Sequence, residues 1–74
     1  MKITDDEIDR RIEHHAPTPA AVAAHQGMRA AARNFLYAMQ EHAPDSREAA
    51  LAVTKAEEAL MWSNAAIARN HDKL

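Results

Sequence analysis

The sequence predicts an all-α fold, in which a short N-terminal helix precedes a long antiparallel two-helix hairpin. Two proline-marked breaks, at residues 16–19 and 43–46, divide the chain into three segments. Apolar residues recur at near-helical spacing in the longer segments, and alanines fill the turns between them. With only 74 residues, the chain is expected to form a single domain over residues 1–74.

The first helix is predicted over about residues 4–15. Thr4 is followed three residues later by Glu7, which is the spacing of a capping box. Acidic residues occupy the first turn, where the helix dipole favours negative charge. Ile8 and Ile12 form one narrow apolar stripe, which is too small to stabilise an isolated helix. We therefore expect this helix to dock on the rest of the protein.

The second helix is predicted over about residues 20–42. Pro17 and Pro19 disfavour the helical conformation in the residues before them, so the link to the first helix should be extended and stiff. Gly27 costs about 1 kcal/mol relative to alanine inside a helix. It indicates either the close approach of another backbone or ligand, or simple tolerance of the glycine.

The third helix is predicted over about residues 46–70, with Asp45 and Glu48 as its capping box. It contains no glycine or proline, and the tight turn before it requires antiparallel packing on the second helix. Glu57 and Asn64 lie on its broad apolar face. They either fix register or oligomeric state from within the seam, or they sit at its edge.

The composition favours assembly into a homo-oligomer. Eighteen of the 74 residues are alanine, large apolar side chains are few, and there is no cysteine to form a disulfide. A single core in a chain of this size contributes only about 3–5 kcal/mol. Burial between subunits is the natural source of further stability.

The charge and hydropathy restrict the partners and the location. A net charge of −2 argues against binding of DNA or RNA polymers, which normally requires a basic excess. The same net charge is compatible with a small anionic ligand that is bound by two or three cationic side chains. The sequence has no apolar run of signal-peptide length and none that would span a bilayer. A cytoplasmic protein is expected.

The histidines and acidic residues do not form a recognisable metal or catalytic motif. His14 and His15 are helix neighbours that point about 100° apart, whereas His25 and His42 stand alone. Glu57 and Glu58 are also neighbours rather than facing carboxylates. We therefore predict no metal, no cofactor and no enzymatic activity.

The arginines indicate a binding function. Six arginines accompany three lysines, and the planar guanidinium suits phosphate groups and flat rings. Arg29 lies near Gly27 and follows the segment that contains His14 and His15. Together these residues would offer a cation, a flat ring and a stiff proline-containing wall.

The sequence resembles the phage anti-CBASS sponge proteins of type two, whose helical-hairpin domain is shared with a Thoeris anti-defence sponge. The matching segments are residues 11–17 (RIEHHAP), 28–29 (MR), 44–48 (PDSRE) and 52–69 (AVTKAEEALMWSNAAIAR). The last segment is long and has an unusual composition, so it carries most of the resemblance.

The resemblance implies a homo-oligomer, typically a hexamer, that sequesters cyclic oligonucleotides of bacterial immunity without cleaving them. It implies that His14 stacks on a base and Arg29 meets a phosphate of a cyclic dinucleotide held between two subunits. His15 and Arg11, from the same matching segment, complete that predicted site. Arg69 is implied in a separate cyclic trinucleotide site among three subunits. The location implied is the cytoplasm of the infected bacterial host.

Two alternatives stay open at this point. A cyclic ADP-ribose-type signal of the Thoeris system would need similar stacking and phosphate contacts. A helical protein-interaction module would bind no nucleotide, and its arginines would only be solvated.

Overall fold

The computed structural model describes residues 2–74, which form three α-helices and a short 3₁₀ turn. The helices are α1 (Asp5–Ile12), α2 (Pro19–His42) and α3 (Arg47–Arg69), and the turn spans His71–Lys73. Residues 2–74 contain no strand, and α2 packs on α3 as a hairpin. The predicted all-α hairpin is confirmed.

A hydroxyl side chain caps the start of each helix. Thr4, Thr18 and Ser46 accept hydrogen bonds from the backbone amides of Glu7, Ala21 and Ala49, at 3.2, 3.1 and 3.1 Å. Each bond satisfies one of the amides that the first helical turn leaves without a partner.

The predicted cap of α1 is therefore correct, whereas the predicted cap of α3 is one residue too early. Ser46, rather than Asp45, has the extended backbone of a cap residue, and it reaches the amide three residues ahead. The Thr18 cap was not predicted. Pro19, which directly follows Thr18, was a signal for it, because proline favours the first position of a helix.

Helix α1 ends at Ile12, three residues before the predicted end. The backbone turns to an extended conformation at Glu13. The His15 ring supplies a reason, because its Nε2 donates a hydrogen bond of 2.8 Å to the carbonyl oxygen of Arg10. That carbonyl would accept the amide of His14 if the helix continued. The prolines beyond it also disfavour helix.

The hairpin is closed by a seam of small residues and one polar pair. Ala21 is the only side chain among residues 2–74 that is fully buried, at 2% exposure. The Nδ1–H of His25 donates to Oδ1 of Asn64 at 2.8 Å, and both residues are half-buried. Asn64 therefore lies within the seam, whereas Glu57 is exposed at its edge.

Helix α1 docks through polar contacts rather than through its predicted apolar stripe. Ile8 and Ile12 remain 42% and 79% exposed. The Arg10 guanidinium donates a hydrogen bond to Oδ1 of Asn70, at the end of α3. The His15 ring meets the His71 ring edge to face, with their centroids 6.1 Å apart.

The single chain is extended rather than compact. Its radius of gyration is 15.6 Å, whereas a compact chain of this length would have about 11 Å. Several large apolar side chains lie at the surface, among them Phe35, Met61 and Trp62. One chain thus leaves much of its apolar surface in water.

Gly27 gives a first testable prediction. A Cβ atom built there meets nothing within 4 Å in the single chain. Replacing Gly27 by alanine should therefore raise the free energy of unfolding by about 1 kcal/mol, because glycine is a poor helix former. Urea unfolding of the two proteins measures the change.

The neighbouring Gln26→Ala variant is the matched control, since its change in helix propensity is only a few tenths of a kcal/mol. Destabilisation by Gly27→Ala, with Gln26→Ala neutral, would contradict the prediction. It would instead show that another subunit or a ligand approaches the backbone at Gly27.

Candidate functional site

An open groove runs along the hairpin between α2 and α3, and we name it the arginine groove. Its volume is about 820 Å³, within the range of small-molecule sites. Arg29, Arg33 and Tyr37 lie along α2 at four-residue intervals, so they follow one another on the same side of the helix. The rest of the lining is mostly apolar: Ala32, Leu36, Met39, Gln40, Ala43, Asp45, Ala49, Ala50, Val53 and Leu60.

Within the described residues, the two guanidinium groups in the arginine groove have no carboxylate partner. Among residues 2–74, all ion pairs within 4 Å involve Arg10, Arg11 or Lys55 rather than Arg29 or Arg33. Asp45 lines the same groove but pairs with neither arginine. The groove therefore presents uncompensated positive charge beside the Tyr37 ring, which is 61% exposed.

A second concavity lies where α1 crosses the end of α3, and we name it the α1–α3 pocket. Its volume is about 420 Å³, and three arginines and one tryptophan contribute to its wall. Its lining consists of Glu7, Arg10, Arg11, Trp62, Ala65, Ala66, Arg69 and Asn70. Trp62 is 68% exposed, so its ring is accessible in the single chain.

Glu7 organises the α1 side of this pocket. Its carboxylate accepts a hydrogen bond of 2.8 Å from Nε of Arg11 and one of 3.3 Å from Arg10. The hydrogen bond from Arg11 holds the pKa of Glu7 below its usual 4.5 and outweighs the opposing effect of desolvation. The charges of both arginines lower this pKa further. Arg11 is thus charge-compensated, whereas Arg69 forms no ion pair among residues 2–74.

The pH dependence of α1 stability follows from this lowered pKa, because both arginine partners of Glu7 lie within α1. A carboxyl group whose pKa is lower in the folded state stabilises that state above its unfolded pKa. The contribution is lost as the pH falls through the folded pKa. The α1 amides should therefore show constant protection from hydrogen exchange above pH 4.5, and this protection should decrease as the pH falls below 4.5.

The Glu7→Gln variant, which has no charge to lose, is the control for this measurement. Its α1 protection should lack the acid-dependent fall. If the wild type and the variant lose protection in parallel, the Glu7–arginine contacts do not hold α1.

The structure separates the residues predicted for the dinucleotide site. Arg29 lines the arginine groove, whereas Arg11 lies in the α1–α3 pocket beside Arg69. His14 is exposed in the link between α1 and α2, and it lines neither concavity. The His15 ring is engaged with the Arg10 carbonyl and with His71. A joint site of Arg29 with these residues stays a prediction that involves a second subunit.

The sequence interpretation did not connect Arg29 and Arg69 with their neighbours in these two concavities. Arg33 and Tyr37 accompany Arg29, and Trp62 accompanies Arg69. Their spacings of four, eight and seven residues would have placed each of them on the same helix side as its arginine.

Two further properties concern the described residues only. No group of three or more histidine, aspartate or glutamate side chains within residues 2–74 is arranged to hold a metal ion. None of the helices in this part of the chain is long and apolar enough to cross a membrane.

The fold and the two concavities define a helical hairpin that offers guanidinium groups beside aromatic rings. This combination suits anionic ligands that carry flat rings. The model of the Acb2/Tad1 hairpin domain matches residues 4–68, which is most of the chain. The chain therefore belongs to the Acb2/Tad1 hairpin family, as the sequence resemblance predicted. No curated protein and no solved structure matches it.

Membership of this family implies a sponge-like anti-defence function against cyclic nucleotide signals. The family match does not assign roles to individual residues. The positions of His14, His15, Arg11, Arg29 and Arg69 in a ligand site stay predictions.

Proposed function

We propose that this protein is a homo-oligomeric sponge for the cyclic oligonucleotides of bacterial CBASS immunity, acting in the cytoplasm of an infected cell. Its main ligand is a cyclic dinucleotide, and a second site takes a cyclic trinucleotide. The ligand is sequestered and is not cleaved, so no catalytic residue and no cofactor are required. The family match over residues 4–68 is the observation that carries this proposal.

The symmetry of the ligand supports a site shared between subunits. A cyclic dinucleotide has two phosphates and two bases related by near two-fold symmetry. An interface of two-fold symmetry presents each residue twice. The Arg29 side chains of the two subunits can therefore each bind one of the two phosphates. His14, which is exposed in the single chain, is available to a ligand from across such an interface.

The same reasoning applies to the second site. Three copies of Arg69 around a three-fold axis supply one cation for each phosphate of a cyclic trinucleotide. Arg69 forms no ion pair among the described residues, and it lies beside the exposed ring of Trp62. A base of the ligand would thus stack on Trp62 while a neighbouring phosphate binds Arg69.

The surface of the single chain supports self-association. Its accessible area is 5982 Å², whereas a compact monomer of 8.2 kDa would expose about 4,500 Å². The excess exceeds the roughly 800 Å² that each partner buries in a standard interface. The surplus surface of each chain therefore suffices for one standard subunit contact and is nearly enough for a second.

A second candidate has a specific basis, because the matching family unites the Acb2 and Tad1 hairpins. The ligand would then be a cyclic ADP-ribose-type signal of the Thoeris system. It also carries phosphates and a flat base, so it would use the same kinds of side chain. A helical protein-interaction module is the remaining alternative, and it would ignore free nucleotides.

Isothermal titration tests these alternatives directly. The purified protein is titrated with cyclic dinucleotides, cyclic trinucleotides and cyclic ADP-ribose isomers, and the linear dinucleotide of the same bases serves as the control. Nanomolar binding at one ligand per two chains supports the dinucleotide sponge. Binding of ADP-ribose isomers alone supports the Thoeris ligand, and no binding overturns both.

Recovery of the ligand tests sequestration against cleavage. The complex is heated to denature the protein, and the released nucleotide is analysed by chromatography. Intact cyclic nucleotide supports the sponge, whereas linear products after prolonged incubation would show a phosphodiesterase.

A further inference from the structure

The arginine groove contains two side chains that the proposed function does not yet use. Arg33 lies one turn beyond Arg29, and Tyr37 lies one turn beyond Arg33. The Cβ atoms of such neighbours are about 5–6 Å apart, so the two guanidinium groups share one stretch of surface.

Two like charges at this spacing destabilise a helix slightly, and here no carboxylate within 4 Å among residues 2–74 offsets them. Lys55, by contrast, is paired with Glu58 at 3.2 Å on the exposed side of α3. The arginine pair is therefore matched to an anion that the single chain does not supply.

Tyr37 adds an aromatic surface to the same groove. Tyr37 is 61% exposed, and the groove that it lines also includes the apolar residues Leu36 and Val53. A flat base placed on such a ring gains stacking, and each base–aromatic contact contributes about 1–3 kcal/mol. The two arginines, the Tyr37 ring and apolar side chains thus line the same groove.

We propose that Arg33 and Tyr37 are direct ligand contacts, so that the dinucleotide site extends along α2 from Arg29 to Tyr37. Arg33 binds the same phosphate as Arg29, through its second non-bridging oxygen, and the Tyr37 ring stacks on a base. This proposal rests on the proposed function, because its ligand is the cyclic dinucleotide. It adds a second cation and a second stacking surface to each half of the site.

Three variants test the extended site by titration with cyclic di-AMP, cyclic di-GMP and cyclic GMP–AMP. Arg33→Gln should raise Kd about tenfold or more, because it removes a charge-assisted hydrogen bond. Tyr37→Ala removes one stacking contact from each half of the two-fold site and should raise Kd by about 30-fold or more. Tyr37→Phe keeps the ring and should stay within about threefold of the wild type. Arg47→Gln, which removes an arginine outside the groove lining, is the matched control and should bind normally.

A fluorine probe tests the Tyr37 contact without a mutation. Tyr37 is the only tyrosine in the sequence, so fluorotyrosine labelling gives a single reporter. A base stacked on the ring should shift its ¹⁹F resonance on ligand addition, while light scattering shows an unchanged oligomer. An unshifted resonance at saturation would place the ring outside the site.

The other outcomes are equally decisive. If Arg29→Ala loses binding while Arg33→Gln and Tyr37→Ala bind as the wild type does, the extended site is wrong and the proposed function stands. If the wild type binds none of the probes, both fail. If Tyr37→Ala dissociates the oligomer, and Arg33→Gln binds normally with an unshifted fluorine signal, the groove is a subunit contact instead.

Discussion

Replacing Arg29 by alanine should abolish cyclic dinucleotide binding while the oligomer stays intact. The guanidinium is exposed in the arginine groove and has no ion pair among residues 2–74, so its loss leaves the hairpin unchanged. At a two-fold site the substitution removes two contacts at once. With about 1.5–3 kcal/mol for each charged hydrogen bond, Kd should rise by roughly 10²–10⁴.

Titration calorimetry measures this loss, and light scattering checks the oligomer. Arg47→Ala is the matched control, because it removes the same charge outside the groove lining. Arg29→Lys keeps the charge but loses the planar fork, and it should bind with intermediate affinity. Nanomolar binding by Arg29→Ala would show that the phosphate is held elsewhere.

Replacing Arg69 by alanine should remove cyclic trinucleotide binding and leave dinucleotide binding unchanged. A three-fold site loses three contacts together, so the expected effect per substitution exceeds that of Arg29. At about 1.5–3 kcal/mol for each contact, trinucleotide binding should become undetectable by calorimetry. Arg69 and Arg29 line different concavities, which is the reason for expecting separate effects.

The Arg11→Ala variant then decides to which site Arg11 contributes. The sequence resemblance implies the dinucleotide site, whereas in the single chain Arg11 lies beside Arg69. Loss of trinucleotide binding alone would assign it to the α1–α3 pocket. Loss of dinucleotide binding would show that α1 reaches the arginine groove of a neighbouring subunit. Equal loss of both ligands with Arg69→Ala would contradict two separate sites.

The sequence predicted the two long helices closely because local signals mark their ends. Prolines and hydroxyl caps set the start of α2 and α3, and the observed bounds of these helices differ from the predicted ones by at most one residue. The end of α1 was missed because the His15 ring takes the Arg10 carbonyl, and helical periodicity carries no information about such a contact. Docking of α1 was expected because the Ile8–Ile12 stripe is narrow, but nothing in the sequence indicated the contact between Arg10 and Asn70 through which it runs.

The candidate site was less accessible to sequence reasoning. Arg29 and Arg69 could be selected from the resemblance, but their surroundings depend on how α2, α3 and α1 pack. Arg33 and Tyr37 become notable only when the groove beside them is known. A site shared between subunits is still harder to predict from the sequence, because contacts between two copies of a chain produce no spacing pattern within one copy.

The scarcity of burial in the single chain has a consequence for how binding capacity depends on protein concentration. Only Ala21 is fully buried among the described residues, so much of the stability must come from assembly if the subunits associate as proposed. The folded fraction then grows with protein concentration, and a ligand that binds only the assembled form increases it further. Signal-binding capacity would rise more steeply than copy number, and newly made messenger would promote assembly of the particle that removes it.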